Sequence, residues 1–410
     1  MIKSVRRINL LLPGIMLIMI SCNKDQEIDS DFGIKHIGFN SDTIISTDDN
    51  HFYFIDYVAA EVVKADKDGI VKFKRGDLFQ PVKAFASNQE KPYIFALKKG
   101  GLAIWEQVTD SIIPSTKQIY CHWNIKTIDF SGNYKINQTE TFNSKKKINP
   151  LSVVEDQGGG LIGIGIIETN FNSGAIELMK ISAFGASLKK TINPAQYWLN
   201  GIFPNARTTI KSMESNYEVY AIIQLGLQTS CFKFDNNLEP VLYRRFSFSG
   251  SGNVNNQINA KTIWDCPISY FQRIDNGSFL ISGTKFSGKI GVYSYTDPFC
   301  SIISDNFDTI SVFRYSNYSF IKTGAPIIDI GSGMILLPGG ESQEAFDEEV
   351  PTLFHIKISN LELDRKETLS QIRKMQLKTG FPFLNSYLLG ANSDFLPSGS
   401  TRTTIIKLKR

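Results

Sequence analysis

The sequence predicts an all-β fold built from seven copies of one repeated unit. Aromatic residues make up 12% of the 410 residues, with 29 Phe and 15 Tyr, and such side chains favour strands. Stretches with the periodicity of a helix are scarce, whereas glycine-marked turns are frequent. A turn followed by an apolar strand recurs every 51 to 61 residues, which is the spacing of a structural repeat.

The N-terminal segment has the layout of a secretory signal peptide. Three basic residues within the first seven precede an apolar run over residues 8–20, and Ser21-Cys22 follows. The run is shorter than the roughly 20 apolar residues that a membrane-spanning helix needs. We therefore expect residues 1–21 to be removed as a signal peptide.

The end of this segment resembles a bacterial lipobox, the sequence at which a cysteine becomes lipidated. Met19-Ile20-Ser21-Cys22 carries a small residue before the cysteine, although Met19 stands where leucine is usual. The resemblance implies that Cys22 carries the lipid, palmitate included, and becomes the mature N-terminus. A plain signal peptide followed by an incidental cysteine is the alternative.

A short polar and acidic tether follows Cys22. Residues 23–31 lack the apolar side chains needed to build a core. They resemble the charged segment behind the lipidated cysteine in surface-exported lipoproteins of the Bacteroidetes type. The resemblance implies residues 22–32 as the tether of a lipid-anchored outer-membrane protein exposed at the cell surface. A generic flexible linker is the alternative.

The net charge gives no indication of a nucleic-acid partner. The formal charge is +4, and Lys3, Arg6 and Arg7 of the signal segment account for most of it. The mature protein is therefore close to neutral. We expect its partners to be the membrane, through the lipid, and a glycan or an envelope protein.

The first element of each repeat is a turn followed by an apolar strand. Six of the seven turn positions carry Gly or Asn, the residues that best tolerate the positive φ of a hairpin turn. We predict that the second strand of a unit begins after each of them. The positions are Asn50, Gly101, Gly160, Asn216, Gly277, Gly333 and Ser386.

The second element is a strand with a central Lys between apolar residues. This alternation predicts a half-buried strand whose Lys points to solvent. In the fifth copy, Tyr293 stands in place of the Lys. The lysines expected at the surface are Lys64, Lys126, Lys180, Lys233, Lys357 and Lys407.

Seven such units resemble the blades of a β-propeller, with one four-stranded blade per copy. The stretches around Gly160 and Gly277 look like repeats of secreted bacterial propeller proteins. The resemblance implies one seven-bladed propeller domain over residues 33–410, with six or eight blades as alternatives. The last copy has only three strands, so we predict that residues 34–39 supply its outer strand and close the ring.

The four cysteines after Cys22 are predicted to be buried free thiols. An exported protein can form disulfides. A disulfide, however, needs Cα atoms within about 7 Å. The repeat register places the four in different blades or on non-adjacent strands; they are Cys121, Cys231, Cys266 and Cys300.

Variation in segment length concentrates on one face of the predicted propeller, where the second-to-third-strand loops and the links between blades emerge. Binding residues often lie on such loops above a rigid scaffold. We predict that a ligand binds this face, with tolerated insertion as the alternative. The loops are 106–122, 340–351 and 390–402, and the links are 193–205 and 250–262.

Aromatic residues at or near these segments are candidate contacts for a sugar ring. Exposed rings stack on sugars, but rings in a propeller also pack between blades, and both interpretations are open here. The candidate ligand-binding residues are Trp105, Tyr197, Trp198, Trp264 and Phe346.

No motif indicates catalysis, a metal site or a cofactor. The four His lie on separate predicted strands without metal-ligand spacing, and GxSxG does not occur. Residues 66–69 resemble the start of an EF-hand loop but lack its bidentate Glu, so we predict a turn. The acidic run 344–349 is predicted to be a solvated loop. A catalytic carboxylate pair drawn from different blades cannot be found by spacing.

We therefore expect a lipid-anchored, non-catalytic binding or interaction module for a glycan or a protein. One alternative is an enzyme that processes a glycan or peptide with carboxylates at the channel mouth. The other is a structural component of an outer-membrane assembly, which an apolar patch on the rim would favour.

Overall fold

The chain forms a ring of seven antiparallel blades, which confirms the predicted seven-bladed β-propeller. Five blades are separate four-stranded sheets, whereas blades 5 and 6 share one nine-stranded sheet through a parallel bridge between Thr296 and Phe320. Within blades 1 to 6 the strands follow in sequence order from the innermost, beside the central channel, to the outermost, and the innermost strand of blade 6 is in two pieces. In blade 7 the outermost strand comes from the N-terminal end of the domain. The computed structural model describes residues 32–37, 41–82, 91–116, 118–170, 173–192, 204–212, 217–225, 228–247, 264, 266–274, 277–290, 293–315, 320–342, 350–369, 375–392 and 403–409.

The strands are numbered along the chain. The first, β1 (Phe32–Ile37), precedes blade 1. Blade 1 contains β2 (Thr43–Thr47), β3 (His51–Asp56), β4 (Glu61–Asp66) and β5 (Val71–Arg75). Blade 2 contains β6 (Tyr93–Ala96), a 3-10 turn (Lys98–Gly100), β7 (Leu102–Ile113), β8 (Gln118–Ile128) and β9 (Tyr134–Glu140). Blade 3 contains β10 (Leu151–Glu155), β11 (Leu161–Asn170), β12 (Ser173–Ile181) and β13 (Ser187–Ile192).

The remaining blades continue in the same order. Blade 4 contains β14 (Pro204–Ser212), β15 (Tyr217–Leu225), β16 (Gln228–Phe234) and β17 (Pro240–Ser247). Blade 5 contains β18 (Ile268–Arg273), β19 (Ser278–Ile290), β20 (Tyr293–Ser304) and β21 (Thr309–Arg314). Blade 6 contains β22 (Phe320–Thr323), β23 (Ile327–Asp329), β24 (Met334–Ser342), β25 (Val350–Lys357) and β26 (Leu363–Thr368). Blade 7 contains β27 (Gln376–Phe383), β28 (Ser386–Asn392) and β29 (Thr403–Lys409).

The N-terminal strand closes the ring, as predicted. β1 pairs antiparallel with β29, with Ile34 opposite Ile406, and so becomes the outer strand of blade 7. Ser41 reinforces the junction, because its hydroxyl lies 2.7 Å from that of Thr403 and its carbonyl accepts a hydrogen bond from the Asn392 side chain. The end of the predicted segment, residues 38–39, lies outside the described residues. The ring is therefore held by strands from both ends of the domain.

The hydrophobic core is divided into seven clusters, one at each interface between adjacent blades. The cluster between blades 7 and 1, for example, joins Phe381 and Ile405 to Phe52 and Val63. The apolar positions of the strands recur because each blade must cover both of its faces with its neighbours. The repeat in the sequence is thus the repeat of these interfaces.

A repeated turn joins the third and fourth strands of five blades. Its first residue is Asp or Ser, whose side-chain oxygen accepts hydrogen bonds from the backbone N–H groups two and four residues later. The fourth residue has a positive φ, and it is Gly69 in blade 1 but Leu238 and Phe307 in blades 4 and 5. Those two side chains are buried between blades. Residues 66–69 form the predicted turn.

The expectation that the strand lysines point to solvent is wrong for Lys64. Its side chain is buried, with only 1% of the residue exposed. The Nζ atom donates to Asp49 at 2.6 Å and to the carbonyl oxygens of Gly100 and Phe130 of blade 2 at 3.0 Å each. Burial is tolerated because the ammonium is fully paired. Lys357 and Lys407 are exposed as predicted, and the other three are half-buried.

Two further expectations concern the fifth repeat and the cysteines. Tyr293 does not replace the strand lysine, because it pairs with Ile290 near the tip of the β19–β20 hairpin, far from the turn at which the repeat ends. The four cysteines Cys121, Cys231, Cys266 and Cys300 are buried free thiols, as predicted. Burial raises the pKa of the Cys231 thiol, which makes it unreactive.

Candidate functional site

The two faces of the propeller differ in how the chain crosses them. The turns between first and second strands, and between third and fourth strands, open on one face, which we call the turn face. The loops between second and third strands, and the links between blades, open on the opposite face, which we call the loop face. The position of a residue along its strand therefore assigns it to a face.

Hairpin arms extend blades 2, 3 and 5 on the loop face. In blade 2, β7 and β8 have 12 and 11 residues, whereas β3 and β4 of blade 1 have six each. The predicted loop 106–122 is therefore wrong, because the extra residues continue the backbone pairing out to Ile113 opposite Gln118. Most of the other predicted long segments lie outside the described residues, namely 193–203, 250–262, 343–349 and 393–402.

The arm of blade 2 carries a polar pair on one side and apolar residues at its tip. His122 Nδ1 and Asp110 Oδ1 lie 2.5 Å apart, and both side chains are partly exposed. Ile112 and Ile113 are exposed near the tip. Across the described ranges, no three His, Cys, Asp or Glu side chains are grouped as metal ligands would be. The arm therefore presents both polar and apolar side chains on the loop face.

The innermost strands, which surround the channel, carry more basic than acidic residues. The basic residues are Arg207, Lys211, Arg273, Lys322 and Lys378, and the acidic ones are Glu155 and Asp329. Both acidic residues end their strands, at the turn face. Within the described inner strands, the loop-side half therefore contains Arg207, Lys322 and Lys378 and no carboxylate, although Asp42 is exposed directly before β2. This half of the channel favours an anionic ligand.

Arg207 and Tyr270 meet at the seam between the innermost strands of blades 4 and 5. Both are half-buried in the loop-side half of their strands, and Arg207 Nε donates to the carbonyl oxygen of Ser269. Burial lowers the pKa of Arg207, and the nearby Tyr270 offsets part of that effect. Burial likewise raises the pKa of Tyr270. At neutral pH the seam therefore presents a guanidinium cation beside a phenol that keeps its proton.

Sequence reasoning missed this pair. The sequence around Arg207 has the pattern of an ordinary strand. Tyr270 alternates with apolar residues in the same way as an aromatic residue of the core. The two come together only because blades 4 and 5 are neighbours in the ring. The signal that the sequence does contain is an excess of basic over acidic residues when the first strands of all seven repeats are taken together.

Trp105 does not contact a ligand in this fold. It is fully buried between blades 2 and 3, with its ring centroid 6.1 Å from that of Trp123 and 6.3 Å from that of Phe142. Gly163 of blade 3 makes room for it, since a Cβ there would lie 2.8 Å from the indole. The ligand-binding assignment of Trp105 is wrong because the ring fills the core.

Trp264 is also a packing residue. Only 2% of it is exposed, its ring stacks on Phe246 at 4.4 Å, and its carbonyl accepts a hydrogen bond from Thr229. The ligand-binding assignment of Trp264 is therefore corrected in the same way. The other three candidates, Tyr197, Trp198 and Phe346, lie outside the described residues. Their role stays a prediction.

A cavity of about 270 Å³ opens on the turn face between blades 2 and 3. Lys98, Lys99 and Lys135 line it together with Asp129 and Glu155. Burial raises the pKa of Glu155, and a hydrogen bond from the backbone N–H of Lys98 offsets part of that rise. Charges of both signs therefore meet in this cavity, in contrast to the basic channel wall on the loop side.

Comparison with known proteins supports the architecture. No family model and no curated protein sequence matches this chain. Among solved structures, the polysaccharide lyase Uly1 matches with a TM-score of 0.50 and 8% identity over 91% of this chain and 90% of its own. A PL25 ulvan lyase bound to GlcA(1-4)Rha3S matches with a TM-score of 0.51 and 9% identity over 90% and 95%.

A third solved structure also matches. A protein of unknown function from Bacteroides caccae is 15% identical, with a TM-score of 0.35, over 65% of this chain and 78% of its own. At these identities the similarities show the propeller fold alone. In the part of the chain that the structure describes, no helix has the length and apolarity needed to cross a bilayer.

Proposed function

We propose that the protein is anchored in the bacterial outer membrane by a lipid on Cys22 and binds an acidic glycan at the loop-face mouth of its channel. The lipobox-like junction at residues 19–22 supports the anchor. The position of β1 is compatible with it, because that strand joins the propeller at the rim, where a tether can leave freely.

The charge of the inner strands carries the binding proposal. Arg207, Lys322 and Lys378 occupy the loop-side half of the described inner strands, which has no carboxylate. Arginine binds carboxylate or sulfate groups with two parallel hydrogen bonds. The neighbouring phenol of Tyr270 is a further donor. An extended chain with repeated acidic groups would meet Arg207 and Lys378 one after the other along the channel mouth.

The solved structures indicate which acidic glycan to test first. Two propellers with TM-scores of at least 0.50 are polysaccharide lyases, and one of them holds GlcA(1-4)Rha3S. That glycan carries both a carboxylate and a sulfate. We therefore choose oligosaccharides of glucuronic acid and 3-sulfated rhamnose, and oligogalacturonate, as probes for this protein.

Replacing Arg207 with Gln should weaken binding of the acidic probes. Hydrogen bonds to a charged group contribute roughly 1.5–3 kcal/mol, so the affinity should fall about 10- to 100-fold. Arg245→Gln is the matched control, because Arg245 is exposed on the outer strand of the same blade. Isothermal titration calorimetry measures both affinities, and circular dichroism checks that each variant is folded.

A second variant separates charge from geometry at the same position. Arg207→Lys keeps the positive charge but loses the planar fork, so its affinity should lie between those of the parent and Arg207→Gln. Unchanged affinity in a folded Arg207→Gln variant would contradict the proposal. If the probes are instead shortened to unsaturated products that absorb ultraviolet light, the protein is a lyase and the binding site belongs to an enzyme.

A further inference from the structure

The N-terminal tether leaves the propeller on the turn face. β29 runs from the loop face toward the turn face, and β1 pairs with it antiparallel. Phe32 lies opposite Leu408, at the turn-face end, whereas Ile37 lies opposite Thr403, at the loop-face end. The residue that precedes Phe32 is therefore attached at the turn face, beside the rim of blade 7.

Large apolar side chains are exposed at the tips of turns on this same face. Phe184 is 99% exposed and Leu384 is 77% exposed, and three further residues are more than half exposed. Each of the five belongs to a different blade, and the five blades are adjacent in the ring. In ring order from blade 6 through blades 7, 1 and 2 to blade 3, they are Ile330, Leu384, Ile70, Phe130 and Phe184. Ile70 follows the tip of its turn, which consists of Lys67 and Asp68.

The turn itself does not require these apolar tips. In blades 4 and 5 the same turn between third and fourth strands carries Asn236 and Asn237, or Asp305 and Asn306, at the tip. Its hydrogen bonds are the same in blades 2 and 3, where Phe130 and Phe184 are at the tip. Ile330 and Leu384 lie instead in turns between first and second strands. Blades 4 and 5 also expose apolar residues near this face, but Val241 and Ile310 lie at the start of outer strands rather than in turns. The exposed apolar turn residues described here occupy the part of the ring that includes blade 7, where the tether is attached.

We infer that the turn face docks on the lipid bilayer and that these five tips insert into its headgroup–acyl boundary. The inference deepens the proposed function and rests on its lipid anchor. The ten residues 22–31 span at most roughly 33–36 Å when extended, so an anchored propeller stays close to the surface. This tethering gives the tips a high effective concentration at the bilayer. Weak insertion of each tip is then enough to hold the turn face against the membrane.

The docking is apolar rather than electrostatic. On this face Lys67 pairs with Asp68 and Arg244 pairs with Asp308, while Lys98 and Lys99 line one cavity with Asp129 and Glu155. A face with both signs gains little from an anionic surface. We therefore expect docking on vesicles of zwitterionic phosphatidylcholine, without anionic lipid. The orientation turns the loop face and its basic channel mouth away from the membrane, toward a ligand in solution.

Tryptophan placed at the tips tests the inference in the lipidated, full-chain protein on phosphatidylcholine vesicles. The variants are Phe184→Trp and Leu384→Trp, and the control is Val58→Trp, since Val58 is 56% exposed in a turn on the loop face. Brominated phosphatidylcholine quenches a tryptophan that enters the bilayer. We expect several-fold stronger quenching of the added fluorescence at positions 184 and 384 than at position 58, after subtraction of the parent signal.

Each outcome decides the matter. Equal quenching at the two faces overturns the docking, whereas flotation of the parent with the vesicles still supports the anchor. Flotation that does not depend on Cys22, tested with Cys22→Ser, overturns the anchor. In that case the docking is tested by mixing the same tryptophan variants with excess vesicles. Quenching of the tryptophan at position 184 but not at position 58 would support the docking, and absence of quenching at both positions would overturn it.

Discussion

Deletion of residues 32–37 is expected to abolish the stable propeller. The deletion removes β1 and leaves the outer edge of β29 unpaired, although Ile405 and Leu408 are now almost fully buried. Exposing such side chains costs roughly 1.5–3 kcal/mol each. The lost strand pairing adds to this cost, and a domain as a whole is stable by only about 5–15 kcal/mol. Thermal unfolding followed by circular dichroism should show a melting temperature lowered by many degrees or no cooperative transition.

The control for this deletion is the removal of residues 23–28 from the tether. It shortens the chain by the same six residues but leaves β1 in place, so the melting temperature should not change. The open edge of the first variant should also promote association, which size-exclusion chromatography detects. A cooperative transition at the parental temperature after loss of residues 32–37 would show that the ring closes without β1.

Replacement of Trp105 with Ala should destabilise the protein and leave ligand binding unchanged. The indole is packed against Trp123, Phe142 and the backbone at Gly163, so the truncation leaves a cavity between blades 2 and 3. Truncation of a buried Trp costs about 3–5 kcal/mol. Chemical denaturation should therefore show a lower midpoint with a similar slope.

Two further variants make the Trp105 experiment specific. Ile112→Ala, at the exposed tip of the blade 2 arm, should change the stability little. Trp105→Phe should cost less than Trp105→Ala, because phenylalanine fills part of the space and removes the indole N–H, which has no hydrogen-bond partner. Weaker binding of the acidic probes by Trp105→Ala at unchanged stability would mean that the ring contacts a ligand after all.

The features that were predicted from the sequence depend on neighbouring residues along the chain. Turn positions such as Asn50 and Gly333 need a positive φ, which only a few residue types adopt easily, and both have it in the structure. At the turns predicted for Gly101 and Gly160 the positive φ belongs to the preceding residue, Gly100 or Gly159. The alternation near Ile34 marks a strand, and the incomplete seventh unit indicates where it pairs. Blade number and ring closure follow from such local patterns.

The features that were missed depend on contacts between blades. Lys64 alternates with apolar residues as a surface lysine would, but carbonyl groups of the next blade and Asp49 pair with its ammonium. Trp105 and Trp264 lie close to variable segments in the sequence, whereas neighbouring blades enclose their rings. The sequence of a single repeat does not show which side chains of the neighbouring blade will pack against it. The burial of these residues could therefore not be predicted.

The hairpin arms show a limit of a different kind. Segment length identified where blade 2 is enlarged, but 106–122 continues β7 and β8 instead of forming a loop. Antiparallel pairing can continue for as long as the residues tolerate an extended backbone. The polar residues of the arm tolerate it. Length alone therefore does not distinguish a loop from a longer hairpin.

The most direct test of the account is titration of the parent protein with one acidic oligosaccharide in two chemical forms. The first is the native probe of glucuronic acid and 3-sulfated rhamnose, and the second is the same chain after reduction of its carboxyl groups and removal of its sulfates. The account predicts that only the acidic form binds and that its affinity falls as the salt concentration rises, because salt screens the contact with the basic channel mouth. Equal binding of the two forms, or binding of the neutral form alone, would contradict it.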